Sequence, residues 1–285
     1  MTYQTIEVRP LAGNIGAEIF GVDLSKDLNQ QTFSEIHQAF LENIVIFFRD
    51  QDLTIEQQGA FTQHFGPLIH DPVIASPDGR PELMIVAREA NEPYVFGDGW
   101  HTDSSYMEKP PLGSCLYAKE VPEYGGDTGF TNLYLAYETL SPGLRKTLDG
   151  LTAVHSPGPY NKSLMAGRFG EDRTMKLRHD DVMREALAST VEHPVIRTHP
   201  ETGRKALYVC RAYVERFKDW TVEESKPLLE FLYQHQLRPE FSCRFRWRAG
   251  SLALWDNRCA LHKPLADYKG RRIMHRIVAE GDRPH

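Results

Sequence analysis

Short apolar runs and alternations outnumber helical stripes along this chain, and turn-forming residues interrupt them every ten residues or so. Thr5–Leu11 and Ile15–Val22 read as strands divided by Gly13, with a polar turn at Asp23–Asn29. Phe33, Ile36 and Phe40 recur at i, i+3 and i+7, which predicts a helix over about 31–43. The unbroken apolar run Val45-Ile46-Phe47-Phe48 then predicts a strand buried on both faces. Thr54 with Gln57 has the spacing of a capping box, ahead of a helix through Phe61 and Phe65 that Gly66-Pro67 stops. Residues 67–82, rich in proline, aspartate and glycine, predict a surface loop, and Leu83–Ala87 a strand.

Gly113–Val121 and Asp127–Leu133 are expected to form a hairpin around Pro122-Glu123-Tyr124-Gly125-Gly126, followed by a helix that starts at Ser141-Pro142 and ends at Gly150. Residues 156–192 sustain neither period and read as an insertion or lid. Val195–Thr198 and Lys205–Val209 predict a second hairpin; Thr221 with Glu224 caps a helix that Pro227 is expected to disturb or delay. Phe241, Cys243, Phe245 and Trp247 alternate with Ser242, Arg244, Arg246 and Arg248, the clearest strand in the chain, its arginines on the solvated face. Leu252–Trp255 and Arg271–Ala279 complete the series. The pattern predicts a mainly β protein with flanking helices, an antiparallel double-sheet or barrel core in a single domain over 1–285.

Composition narrows the function classes. With 285 residues, 41% hydrophobic and 25% charged, the chain can build a sizeable core, and a net charge of −6 supplies no basic field for nucleic acid. No apolar run approaches the ~18 residues that span a bilayer, and the first residues have no export pattern, so a cytoplasmic protein is expected. Cys115, Cys210, Cys243 and Cys259 show no C-x-x-C pairing and read as reduced, buried thiols.

The candidate chemistry centres on Trp100-His101-Thr102-Asp103. If this run is extended, His101 and Asp103 face the same side and can address one ion; His262 would complete two histidines and one carboxylate. That set with open positions serves non-heme Fe(II) oxygenases, and it also suits catalytic zinc in a hydrolase. In the last strand Arg272, Met274 and Arg276 share a face, so an inward Met274 brings both arginines inward, ~13 Å apart, to hold two anionic groups. His70 and Asp71, in the loop nearby, could line the same site.

Several motifs in one order carry a resemblance over nearly the whole chain: Gly16-Ala17-Glu18-Ile19-Phe20-Gly21-Val22-Asp23-Leu24, Trp100-His101-Thr102-Asp103, Gly125-Gly126-Asp127-Thr128, Trp255-Asp256-Asn257-Arg258 and Arg271-Arg272-Ile273-Met274-His275-Arg276. In these the chain resembles the taurine and 2,4-dichlorophenoxyacetate dioxygenase family of Fe(II)/2-oxoglutarate-dependent oxygenases. The resemblance implies a double-stranded β-helix, a cupin-like jelly roll. It implies His101, Asp103 and His262 as iron ligands, Arg272 and Thr128 as the holders of the distal carboxylate of 2-oxoglutarate, and Arg276 as a contact to the substrate anion. The implied reaction couples oxidative decarboxylation of 2-oxoglutarate, with O2, to hydroxylation of a C–H bond, releasing succinate and CO2. A homo-oligomer is likewise implied.

The same motifs bear on the substrate, a small organic anion. Where the taurine enzyme has a histidine before a proline, this chain has Asp71 before Pro72 with His70 displaced by one, and an asparagine of that pocket aligns with Gly97. The stretches Arg88–Glu92 and Glu120–Gly126 look more like aryloxypropionate dioxygenases. An aryloxyalkanoate or a larger alkyl sulfonate or sulfate is therefore expected ahead of taurine. The competing classes are a zinc-dependent hydrolase, which would need no 2-oxoglutarate clamp, and a non-catalytic jelly-roll binding module, which would have lost a ligand or the clamp.

Overall fold

In the computed structural model, which describes residues 3–77, 79–158 and 175–285, the run Val45–Phe48 shows how the core is built. Val45 and Phe47 point to one side, into a cluster with Phe130, Phe245 and Trp255; Ile46 and Phe48 point to the other, against Ile36, Phe40 and Phe61 of two helices. Both faces of the strand are covered, so its sequence is continuously apolar.

The strands run β1 (Glu7–Pro10), β2 (Ala17–Phe20), β3 (Val45–Phe48), β4 (Leu68–Ile69), β5 (Met84–Arg88), β6 (Gly113–Glu120), β7 (Thr128–Asn132), β8 (Thr152–His155), β9 (Val191–Pro194), β10 (Ile196–Thr198), β11 (Lys205–Leu207), β12 (Val214–Phe217), β13 (Ser242–Phe245), β14 (Leu252–Asp256), β15 (Ala260–Pro264) and β16 (Arg272–Ala279). The large sheet has the order β1-β2-β3-β14-β6-β16-β4, with β5 also on β16 and one parallel pair, β2 with β3. A smaller sheet, β13-β7-β15, faces it. Aromatic rings fill the gap: Phe47 stacks on Phe245 at 3.9 Å between centroids, and Phe130 meets Phe47 and Trp255, each at 5.7 Å. The helices Gln30–Asn43 and Ile55–Gln63 cover the outer face of the large sheet, the second with the expected capping box at Thr54.

Three local expectations need correction. Strands β6 and β7 are not a hairpin: β6 pairs with β14 and β16 in the large sheet, β7 with β13 and β15 in the small one. The chain crosses over at Gly125 and Gly126, both left-handed (φ 72° and 69°), where a Cβ on Gly125 would stand 2.5 Å from the Asp267 carbonyl oxygen. Residues 100–103 are not a strand. His101 makes a lone antiparallel bridge with His262, and the chain turns at once, through Ser104 at φ 45°. Pro227 does not delay its helix, which runs Val222–Gln236 from a capping box at Thr221 and contains the proline. The reading of 156–192 as an insertion or lid lies partly outside the described residues; within them, 175–192 holds a bridge from Leu177 to Ile74, a helix at Asp181–Ala188 and the start of β9.

Other expectations stand. Strands β10 and β11 form the second hairpin, Arg244, Arg246 and Arg248 are exposed, and the four cysteines are free and buried. Among the described residues no helix is long and apolar enough to cross a membrane.

Candidate active site

Two backbone hydrogen bonds, His101 N–H to the His262 carbonyl at 3.0 Å and His262 N–H to the His101 carbonyl at 2.8 Å, place the two histidines opposite each other at the mouth between the sheets. Their ring centroids are 4.2 Å apart. The turn after His101 brings Asp103 back so that its Oδ1 lies 3.8 Å from Nε2 of both rings. The three candidate residues thus converge through a bridge and a turn, not through the strand alternation that the spacing suggested.

Proton positions favour a cation in this cluster. His101 Nδ1 lies 2.9 Å from the Gly99 carbonyl oxygen, which fixes its proton there and leaves the Nε2 lone pair facing Asp103. Burial lowers the pKa of His101 and pushes that of His262 well below the usual histidine range, so both rings are neutral, the ligand form. Burial alone would raise the Asp103 carboxyl; the Arg276 guanidinium 2.8 Å from Oδ2 overrides it and holds the acid below its ordinary range.

A second cluster, His199, Asp256 and Cys259, has comparable spacing but opposite chemistry. His199 Nδ1 accepts the Glu201 and Thr202 backbone N–H groups, so its Nε2 proton is donated to Asp256 at 3.0 Å. Asp256 is also bound through two oxygens by Arg258, itself paired with Glu201. Lone pairs and charge there are already committed, and a metal would have to displace a buried guanidinium.

On β16, Arg272, Met274 and Arg276 are all buried, as the alternation required. Nε and Nη2 of Arg272 have no hydrogen-bond partner, and burial lowers its pKa, the condition of a cation awaiting an anion. Its guanidinium lies 5.9 Å from the Trp247 ring, and Trp247 donates its indole N–H to Thr128 Oγ at 2.9 Å. The Thr128 hydroxyl, having accepted there, keeps its own proton to give.

A cavity of about 330 Å³ opens beside His101 and Asp103, walled largely by Val73, Tyr94, Phe96, Trp100, Tyr106 and Tyr213, with Arg276 and Asp71 among its polar groups. Arg272, Thr128 and His262 do not line it. Asp71 turns one oxygen into its own loop, accepting the N–H groups of Val73 and Ile74 at 2.9 and 2.7 Å, and burial raises its pKa. It presents less negative charge to an anion than the sequence suggests. His70 is exposed and absent from the wall of this cavity; it lines a smaller neighbouring pocket with Asp71 and Arg276. Gly97 sits against the Nε2 edge of His101: a Cβ there would be 3.1 Å from Cε1 and 3.5 Å from Nε2.

Sequence reasoning missed Ser114, Asn257 and the wall tyrosines. Ser114 donates to Asp103 Oδ2 at 2.6 Å, and Asn257 holds the Asp103 backbone N–H at 3.3 Å. No periodicity marks either residue. The register that sets Ser114 beside Trp255 across β6 and β14 is what places them.

Comparison with known proteins establishes the class. An alpha-ketoglutarate-dependent sulfate ester dioxygenase of Pseudomonas putida is 36% identical over 281 residues, covering 98% of this chain and 91% of that protein. An alkylsulfatase of Acinetobacter baylyi is 32% identical over 284 residues, covering 98% and 86%. The crystal structure of a taurine dioxygenase from Burkholderia xenovorans superposes with a TM-score of 0.82 at 38% identity, over 99% of this chain and 91% of that one. The protein is therefore an enzyme of the alpha-ketoglutarate-dependent dioxygenase class, with the jelly-roll fold of those neighbours. Residues 7–278 match the model of the taurine catabolism dioxygenase TauD, TfdA family, and the chain belongs to that family.

Proposed function

We propose that the protein is an Fe(II)-dependent, 2-oxoglutarate-dependent dioxygenase that hydroxylates an organic anion with an apolar body, on the carbon next to its ester or ether oxygen. The observation that carries this reading is Arg276, a buried guanidinium in the wall of a largely aromatic cavity that also exposes His101 and Asp103. A volume of about 330 Å³ is within the range of small-molecule sites and ample for an alkyl or aryl tail. The similar sulfate ester dioxygenase and alkylsulfatase support a sulfate ester as the anion.

In this mechanism His101, Asp103 and His262 would hold the iron, which with 2-oxoglutarate and O2 supplies the oxidising power for the C–H bond. Arg272 and Thr128 bind the distal carboxylate of 2-oxoglutarate, the guanidinium giving its two unpartnered nitrogens and the hydroxyl its proton. Arg276 anchors the substrate anion and so sets which carbon faces the metal-ligand cluster. The aromatic wall excludes water from that contact. For an alkyl sulfate, hydroxylation at the carbon bearing the ester oxygen gives a species that collapses to an aldehyde and hydrogensulfate. A zinc hydrolase has no use for an orphaned Arg272. The reading extends to a homo-oligomer, as the family resemblance implies, and to a cytoplasmic location, which free, buried cysteines suit.

The test is a panel of taurine, alkyl sulfates of rising length, alkyl sulfonates and aryloxyalkanoates, scored first anaerobically by perturbation of the Fe(II)/2-oxoglutarate absorption band and then by succinate release in air. The longer or aromatic anions are expected to outperform taurine. Efficient taurine turnover with no response to bulkier anions overturns the substrate assignment.

A further inference from the structure

The outer oxygen of Asp103 is occupied twice. Ser114 Oγ donates to Oδ2 at 2.6 Å and Arg276 Nη2 approaches the same atom at 2.8 Å, while Oδ1 is the oxygen equidistant, at 3.8 Å, from both histidine Nε2 atoms. All three side chains are buried, and Ser114 is fully enclosed.

The direction of the Ser114 hydrogen bond is forced. Its hydroxyl has one proton and two lone pairs. Asn257 Nδ2 and Arg276 Nη2 both donate to Ser114 Oγ at 3.2 Å, so the single proton goes to Asp103. The Asn257 amide is oriented in turn, because its Oδ1 accepts the Trp255 indole N–H at 2.9 Å. A chain of donors therefore runs from the strand indole to the carboxylate, each member with one usable orientation.

We propose that Ser114 is a positioning residue for the metal centre, which with Arg276 clamps the outer oxygen of Asp103 so that the carboxylate offers a single oxygen to the ion. The inference rests on the reading of His101, Asp103 and His262 as metal ligands. A carboxylate free to rotate would present both oxygens and occupy a position that 2-oxoglutarate, O2 or a water needs. The clamp keeps that position open. Outer hydrogen bonds of this kind typically change metal affinity by about 10–100-fold when removed.

The test uses anaerobic titration of the full chain with Co(II), whose ligand-field spectrum reports coordination number. Ser114→Ala is expected to bind Co(II) about 10-fold or more weakly, with a shifted spectrum. Ser114→Cys, which keeps a weak donor of similar shape, is expected to fall between it and the unaltered protein, and it carries the test if the alanine variant does not fold. Ser114 variants with unaltered Co(II) affinity and spectrum, even with lowered thermal stability, overturn the proposal and leave Ser114 a packing residue. Failure of the unaltered protein to bind Co(II) overturns the ligand reading itself, and the clamp with it.

Discussion

Replacing Arg272 by methionine is expected to move stability and co-substrate binding in opposite directions. In the ligand-free protein, the Arg272 guanidinium is buried with two nitrogens unpartnered, and no carboxylate bonds it among the described residues. An unsatisfied buried donor costs about 1–3 kcal/mol, and methionine fills much of the same channel against Trp247 without that cost. The ligand-free variant should therefore be the more stable by about 1–3 kcal/mol, a rise in Tm of about 2–4 °C per kcal/mol. With 2-oxoglutarate the sign reverses. Losing one partner of a buried, hydrogen-bonded charge pair costs about 2–5 kcal/mol, which is a fall in affinity of roughly 30-fold to several thousand-fold. Ligand that binds only the native state raises its stability through RT ln(1 + [L]/Kd), so saturating 2-oxoglutarate should raise the Tm of the unaltered protein and leave the variant unmoved. The assay is paired thermal melts of metal-loaded, anaerobic protein with and without 2-oxoglutarate, backed by calorimetric titration. A variant that melts lower without ligand yet binds 2-oxoglutarate normally would refute the reasoning, since Arg272 would then be a satisfied structural cation.

Two further outcomes follow from the site. His101, His155 and His262 are buried with pKa values below the ordinary 6.5, so at pH below about 6.5 the unfolded chain binds protons that the native protein refuses. Stability of the metal-free protein is thus full above that pH and is lost as pH falls through it, by up to about 1.4 kcal/mol per pH unit for each histidine; Asp103, held below its ordinary 3.8, takes over only in more acid solution. Denaturant midpoints measured from pH 8 to 5 check this, and a flat profile would contradict it. Gly97→Ala places a Cβ 3.1 Å from His101 Cε1 at a residue with φ 74°, so the ring must tilt or the backbone shift. Metal affinity measured by titration should drop about 10-fold or more, and unchanged affinity would mean that the 97–100 loop yields freely.

The sequence carried the fold wherever side-chain period and burial coincide. Val45–Phe48, the 241–247 alternation and the inward face of β16 were legible because each strand is covered on a face that the pattern records. Which strands pair was less legible. Gly125-Gly126 resembles a hairpin turn, yet the two left-handed residues carry the chain to the opposite sheet, packed against Asp267 and Tyr268, contacts that lie far along the chain. The site divides in the same way. His101, Asp103 and His262 could be named from residue type and motif, while the contacts of Ser114, and of Asn257 inside its motif, could not, because a serine and an asparagine acquire them from cross-strand register. His70 differs again: residue type suggested a role, and the loop leaves it exposed, beside a smaller pocket it shares with Asp71 and Arg276.

The bridge between His101 and His262 has a consequence for the timing of synthesis. His101 and Asp103 leave the ribosome long before β15 and β16, which bring His262, Arg276 and Arg272. Until those strands exist, β7 lacks its β15 neighbour and β6 lacks β16, and Asp103 has neither the second imidazole nor its guanidinium. Pairings of such long sequence separation form late. Of the three clustered side chains, a nascent chain that ends before β15 therefore offers one imidazole and one carboxylate, and the cluster closes only when β15 joins β7 and sets His262 against His101.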